Sequence, residues 1–467
     1  MNPITIPNIT IPVIGLPTIG IPSVGFPSAS GGGLAWPKGL KESIKAIYDP
    51  ALQGMTNYDV IEAYAEDFTN WTLDNSNGIA TVTKNEIHIT ESIVYYRSVV
   101  RQDKVRGTQP FKVLISGLTD SQAVQYIYND GKSYVTKKLT TNGVHELPAS
   151  STQRNGFNVE PAGACDVTIK QLPTSMLQDL SGNGNHAYLY GGKGKLNSGM
   201  GVYNNDFTDS GRGNFTWVYT TGDITVNGAD SFTVHNNREK WVFRCTTNVK
   251  PMTVKIVGVS NDINFKYRYE SENGEKWIFF KKDGIYELPA TIGTWQGFNL
   301  EKNNDIDVNI TVTQIPDYPD QLCYDGKMYA VCYGFPILTD YTVMADRTWF
   351  DKMNRACFLS KITTSETGAF GFEFYNEYNK DTTYSFGRVN DVEQFKDGIT
   401  WQITNSYNGI VKLDYIVNGK DNAELYIGKL RPTEHSGYVG CHGKIIIADR
   451  SFTEDEITWL KDNWKKI

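Results

Sequence analysis

The sequence predicts an all-β fold in which a stretch the size of a small β-sandwich occurs twice, with an extended proline-periodic tail in front and a short C-terminal helix behind. Three observations predict it. The 467 residues, rich in Gly (43), Tyr (27) and Phe (21), break into short alternating runs that end at Asn-Gly or Asp-Gly turns, the pattern of half-buried strands joined by hairpins. A stretch of about 110 residues occurs twice. Helix signals are confined to the last turns of the chain. A chain of this length holds about three domains.

Composition excludes several functions. No run of 18 apolar residues exists to span a membrane. Net charge is −7 and the 45 Lys and Arg are scattered, so no basic stripe awaits a nucleic acid. The six cysteines (165, 245, 323, 332, 357, 441) form no C-x-x-C pair and share no metal spacing with histidine. They read as reduced core residues, with Cys323 and Cys332 placed to meet across a turn. The six histidines (88, 145, 186, 235, 435, 442) are dispersed, giving neither a metal site nor a catalytic triad, and no cofactor is expected.

The tail covers residues 1–33. Prolines at 3, 7, 12, 17, 22 and 27 settle into a five-residue period, as in Pro12-Val13-Ile14-Gly15-Leu16 and Pro17-Thr18-Ile19-Gly20-Ile21. Proline at that spacing forbids a continuous helix or a central strand, so the segment is expected to be extended. Eleven large apolar residues lie between Ile4 and Phe26, and no charge precedes Lys38. Ordering about 24 residues costs on the order of 1 kcal/mol each, and burying the apolar side chains returns roughly 2 kcal/mol apiece, so the two nearly cancel. Order therefore comes from a partner, either identical tails winding together or a groove on a larger assembly; the alternative is a sticky, partly disordered leader. The anchoring side chains are Ile9, Ile11, Ile14, Leu16, Ile19, Ile21, Val24 and Phe26. A secretory signal is a poor match, because no basic segment leads and proline interrupts every apolar stretch. Gly31-Gly32-Gly33 acts as a hinge to the body.

The repeat is read by comparing the chain with itself. Asp67-Phe68-Thr69 recurs as Asp206-Phe207-Thr208, and Gly143-Val144-His145-Glu146-Leu147-Pro148-Ala149 as Gly284-Ile285-Tyr286-Glu287-Leu288-Pro289-Ala290. Gly156-Phe157-Asn158-Val159-Glu160 matches Gly297-Phe298-Asn299-Leu300-Glu301 at the same offset of 141, and both copies close on Gln-[Leu/Ile]-Pro, at Gln171 and Gln314. Copies spanning 67–173 and 206–316, each a series of short strands, suit small β-sandwiches.

The segments outside the repeats include Asp179-Leu180-Ser181-Gly182-Asn183-Gly184-Asn185-His186 and the closing Ala448-Asp449-Arg450-Ser451-Phe452-Thr453-Glu454-Asp455-Glu456-Ile457. Together they resemble the concanavalin A-like lectin and glucanase superfamily in its laminin-G-like branch, where such a turn opens the domain and such a strand and helix close it. The resemblance implies a concanavalin A-like jelly roll in three parts, 34–66, 174–205 and 317–467, with each repeat inserted in a surface loop. The closing helix also follows from local chemistry. Thr453 is a good N-cap, Glu456 completes a capping box and Phe452 staples onto Ile457, while Ile457, Leu460, Trp464 and Ile467 share a face.

A wider resemblance rests on Tyr48-Asp49-Pro50, Gln53-Gly54, Thr56-Asn57-Tyr58-Asp59-Val60-Ile61-Glu62, Gly334-Phe335-Pro336-Ile337-Leu338, Asp340-Tyr341-Thr342-Val343 and Tyr384-Ser385-Phe386-Gly387. These stretches are similar to virion proteins of tailed phages of gut bacteria, particularly the crAss-like group. The resemblance implies a structural protein of the particle, a head or tail fibre made in the host cytoplasm. Expected partners are further copies of the chain, a trimer by fibre geometry, other virion proteins such as capsid or tail, and a host-surface glycan.

Candidate chemistry is sparse. Glucanases of the resembled superfamily use an E-x-D-x-x-E strand, which is missing here; the nearest approaches are Glu373 with Glu377, which could share a strand face, and the Glu454/Glu456 pair, which belongs to the capping element. The expectation is a protein that is not an enzyme, with a polysaccharide-cleaving enzyme and a secreted bacterial adhesin as the alternatives. Calcium at Asp179, Asn183 and Asn185 competes with the ordinary need of a tight turn for Asn, Asp and Gly, and no metal is expected. Trp295, Trp349, Trp401 and Tyr407 are the candidates for stacking on sugar rings, although aromatics at strand positions also serve cores.

Overall fold

The alternating runs form antiparallel strands in the computed structural model. It describes residues 34–467 except 95–96, 103–106, 154, 209–214, 218–223, 236–240, 246–248, 292–296, 302–307, 337, 339–340, 352–355, 362–372, 377–382, 385–397, 405–423 and 430–436. The tail lies outside the described residues, and with it Ile9, Ile11, Ile14, Leu16, Ile19, Ile21, Val24 and Phe26. The fold is all-β, with a short helix near the C-terminal end.

A central sandwich is assembled from distant parts of the chain. One sheet runs in the order Gly199–Val202, Asp317–Asp325, Val439–Ala448, Tyr341–Asp351 and Gly398–Thr404, with Ile44–Tyr48 also pairing with Val439–Ala448. The other runs Met176–Leu177, Ala187–Tyr190, Tyr329–Cys332, Leu425–Ile427, Cys357–Ser360, Glu373–Asn376 and Thr383–Tyr384. Strand alternation decides what each face of the first sheet buries. Ile445 and Ile447 join Tyr48, Leu189, Val343 and Phe358 in the sandwich core, whereas Ile446 and Ala448 join Phe452, Ile457, Leu460 and Trp464 on the other face.

That other face is covered by the helix Glu454–Asp462. Its capping box is complete: the Glu456 N–H donates to Thr453 Oγ1 at 3.3 Å and the Thr453 N–H donates to Glu456 Oε2 at 2.9 Å. Arg450 adds a two-pronged ion pair to Glu456 (2.6 and 2.9 Å), and this contact holds the Glu456 carboxyl below its ordinary range. Helix is not confined to the chain's end. Leu40–Ser43 makes one α-turn entered through Gly39 at φ 77°, without a capping side chain, and buries Leu40 in the same layer.

Each repeat builds the same pair of five-stranded sheets. In the first copy the sheets run Thr72–Leu73, Val100–Gln102, Asn155–Glu160, Ala123–Asn129, Tyr134–Leu139 and Gly78–Val82, Glu86–Ser92, Gly163–Gln171, Phe111–Ser116, Gly143–Leu147. In the second they run Phe215–Trp217, Trp241–Cys245, Gly297–Glu301, Asn264–Ser271, Gly274–Phe280 and Ile224–Gly228, Ser231–His235, Asn309–Ile315, Met252–Val257, Gly284–Leu288. Separate cores fill them, around Phe68, Tyr126 and Phe157 in one and Phe207, Tyr267 and Phe298 in the other.

The repeated motifs have physical jobs. Asp67 and Asp206 each accept from the backbone and hydroxyl of the threonine two residues on, which turns the chain so that Phe68 and Phe207, both fully buried, enter the cores. At the far end Gln171 Oε1 accepts the Glu66 N–H and its Nε2 donates to the Glu66 carbonyl, both at 2.8 Å. Gln314 does the same to Asn205, at 3.2 and 2.9 Å. Each glutamine is buried, so each insert is pinched shut by one side chain bridging its entry and exit strands.

The first repeat also lies against the central sandwich. Leu114 and Leu172 pack with Tyr188, Tyr190, Val331 and Tyr426, while the ammonium groups of Lys112 and Lys170 sit 5.8 and 5.6 Å from the Tyr188 and Tyr190 rings.

Candidate functional site

Trp295, Tyr407 and Glu377 lie outside the described residues. Trp401 stands on Gly398–Thr404 with its Cα opposite that of Met344, and Glu373 opens a strand with its Cα opposite that of Ser360. Trp349 is corrected to a core residue. It is 9% exposed, packs in the sandwich core and meets Tyr438 edge-on at 4.6 Å.

The Asp179 turn is a latch on the first strand of the sandwich. Asp179 Oδ1 accepts the N–H groups of Ile47 (3.1 Å) and Ser181 (2.9 Å), and Oδ2 accepts that of Asn185 (3.0 Å). The Asn183 and Asn185 amides donate to the Ile44 and Lys45 carbonyls at 2.9 and 2.8 Å, and Tyr48 donates to the Asn185 carbonyl at 2.6 Å. Gly182 and Gly184 take φ values of 90° and 78° to close the turn. Amide donors thus occupy both Asp179 oxygens, and among the described residues no group of three or more His, Cys, Asp or Glu is placed to hold a metal ion. His186 accepts the Asp179 N–H through Nδ1, and burial lowers its pKa.

The cysteine pairing across a turn is also corrected. Cys323 stands opposite Cys441 across neighbouring strands, both as free thiols, and the Cys441 thiol donates to Gln321 Oε1 at 2.8 Å. Cys332 lies in the sandwich core beside Tyr48, where burial pushes its thiol up to about 12. His442, fully buried, donates from Nδ1 to the Gly443 carbonyl (2.7 Å) and accepts the Tyr324 hydroxyl at Nε2 (3.0 Å). Burial lowers it to about 4, so the ring is neutral and structural.

Two surfaces carry chemistry that the folding of the chain does not absorb. The first is the outer face of the Asn264–Ser271, Gly274–Phe280 and Gly297–Glu301 strands. Phe265, Tyr267, Phe280 and Phe298 point into the core, which leaves Lys266, Arg268, Trp277 and Phe279 on the opposite face. Lys266 Nζ sits 4.3 Å from the Trp277 ring and 5.6 Å from that of Phe279, and it pairs with Glu301 at 2.6 Å. Arg268 lies 5.4 Å from Trp277 and pairs with Glu275, while Phe279 is 48% exposed. The same positions in the first copy, at the offset of 141, are Gln125, Ile127, Thr136 and Lys138. One backbone therefore carries two different faces.

The second surface is a groove of about 550 Å³ where the chain enters and leaves the first repeat. Met55, Ile61 and Met176 supply apolar lining and Tyr58, Asp59 and Gln178 supply polar groups. Its two segments are tied together. Gln53 donates to the Met176 carbonyl and accepts the Gln178 N–H, both at 2.9 Å, and Ser175 donates to the Ile61 carbonyl at 2.6 Å. Tyr58 is 76% exposed. Sequence reasoning missed this groove because its lining comes from residues 53–63 and 174–178, separated by an entire inserted domain.

No family model matches the chain, and no curated protein matches it. Among solved structures the chain is similar to a Trypanosoma rangeli sialidase in complex with sialic acid, at 10% identity over 83% of both chains with a TM-score of 0.21. It is also similar to vicilin from hazelnut (Corylus avellana), at 9% identity over 53% of this chain and 85% of that one, with a TM-score of 0.12. Likenesses this distant carry no argument about function.

Proposed function

We propose that this chain is a structural protein of a tailed-phage particle, a head or tail fibre that its apolar tail anchors or trimerises and whose β-sandwich domains adhere to host-surface glycan. The observation that carries the reading is the duplicated sandwich whose second copy carries Trp277 and Phe279 beside Lys266 on its outer face, where the first copy has Thr136 and Lys138. An aromatic ring offers the C–H face of a sugar a platform, and the Glu301 carboxylate and the Arg268–Glu275 pair beside it offer acceptors and donors to its hydroxyls, with Lys266 buried beneath. Fibres repeated on a particle turn several weak sites into firm attachment through effective concentration. The proline-periodic tail and the sequence resemblance to crAss-like virion proteins support a place on the particle, and the jelly-roll motifs support a lectin-like role. The test is the full chain on an array of bacterial surface polysaccharides. Binding that falls with Trp277→Ala and Phe279→Ala is expected. No binding to any polysaccharide removes adhesion and leaves a decoration role on the particle.

A further inference from the structure

We infer that the groove at the root of the first repeat is a second carbohydrate subsite, for a short stretch of neutral polysaccharide. Four observations converge on it. At about 550 Å³ the groove falls within the range of small-molecule sites, roughly 300–1,000 Å³. Its Tyr58 ring is 76% exposed while Met55 and Val60 beside it in the chain are buried, so the fold packs the segment and leaves this ring out. A sugar ring presents an apolar C–H face and a rim of hydroxyls; Tyr58 matches the first, and the Gln178 amide and Asp59 carboxylate match the second. Asp59 uses Oδ2 to hold the Thr56 N–H and hydroxyl, both at 2.7 Å, which fixes the carboxylate beside the groove.

The charge of the lining selects the occupant. Among the described residues that line it, Asp59 is the one carboxylate and no Lys or Arg contributes, so a sugar bearing a carboxylate or sulfate meets repulsion without a counter-charge. The outer face of the second repeat, with Lys266 and Arg268, differs in this respect. The hydrogen bonds from Gln53 and Ser175 hold the groove's two segments in register before any ligand arrives, which reduces the ordering cost of binding.

The inference rests on the carbohydrate part of the function proposed above, and the experiment separates the two. The full chain is titrated against short gluco-, galacto- and manno-oligosaccharides, with oligogalacturonate as the acidic counterpart. Binding to at least one neutral series is expected, weakened about tenfold or more by Tyr58→Ala and kept by Tyr58→Phe. Asp59→Asn is expected to admit the acidic series. Because the Tyr58 ring is exposed, the alanine variant keeps the wild-type melting temperature, so a loss of binding is not a loss of fold. Wild-type affinity in Tyr58→Ala, or a wild type that prefers oligogalacturonate, overturns the subsite while leaving adhesion elsewhere intact. A wild type that binds neither these sugars nor any host polysaccharide overturns both.

Discussion

Replacing Gln171 by alanine removes both hydrogen bonds that tie the exit strand of the first repeat to Glu66, where the chain enters it. Gln171 has no exposed surface and Glu66 is half-buried, so water replaces the lost partners of the Glu66 N–H and carbonyl only in part. A fully buried backbone group left unsatisfied costs about 1–3 kcal/mol, and with Glu66 half-buried the pair costs on the order of 2–4 kcal/mol, a large part of the 5–15 kcal/mol typical of a domain. Gln171→Glu isolates the donor, since a carboxylate still accepts the Glu66 N–H but presents an oxygen to the Glu66 carbonyl. Amide hydrogen exchange is the suitable assay, because a chain of several domains does not unfold in one step. A loss of about 3 kcal/mol corresponds to about a hundredfold faster exchange, at 1.4 kcal/mol per tenfold. It is expected in Glu86–Ser92 and Gly163–Gln171, with the second repeat unchanged. Gln314→Ala is expected to reverse the pattern. Exchange in the first repeat changing less than about threefold would refute the clamp.

Other consequences follow from named groups. His442 is held neutral by burial, at about 4 against its ordinary 6.5, so the unfolded chain binds the extra proton between those values. Its contribution is complete above pH 6.5 and lost as pH falls toward 4, about 2 kcal/mol being gone at pH 5; urea midpoints should show this acid slope flattened in His442→Gln. Lys361 is fully buried with no hydrogen-bond partner for Nζ among the described residues, and burial lowers it to about 8. The unfolded chain again binds more protons between pH 8 and the ordinary 10.5, so stability should rise across that window, and Lys361→Met should be more stable than wild type by about 1–3 kcal/mol at pH 7, read from urea midpoints. Thr453→Ala removes the acceptor for the Glu456 N–H and should cost about 1 kcal/mol, read as loss of helix protection in Glu454–Asp462.

What could be read from the sequence was whatever is written locally or written twice. The capping box of Thr453 and Glu456 is local chemistry, and it stands as its residues indicate. The two sandwiches were legible because their turns and core aromatics recur in the same order, at a constant offset around Phe157 and Phe298. The role of Gln171 was not, although the repeated Gln-[Leu/Ile]-Pro was its signal. A glutamine's meaning depends on Glu66, 105 residues away. The one-turn helix at Leu40–Ser43 is too short for a periodic pattern and opens on Gly39 in place of a capping side chain. Trp349 reads as a candidate platform until sheet register places Tyr438 and Phe358 in the same core. Cys323 found Cys441 and not Cys332 for the same reason, since register links residues that spacing does not. The groove beside Tyr58 is a product of insertion, with its segments adjacent in space only because the first repeat closes upon itself.

The central claim is that the tail assembles a body whose faces act together. Its most direct test is the solution mass, by light scattering, of the full chain and of a version beginning at Leu34. The account predicts a trimer for the full chain and a monomer for the truncated one. Monomers in both cases would contradict self-assembly through the tail, and an equal oligomer in both would place the contact in the body.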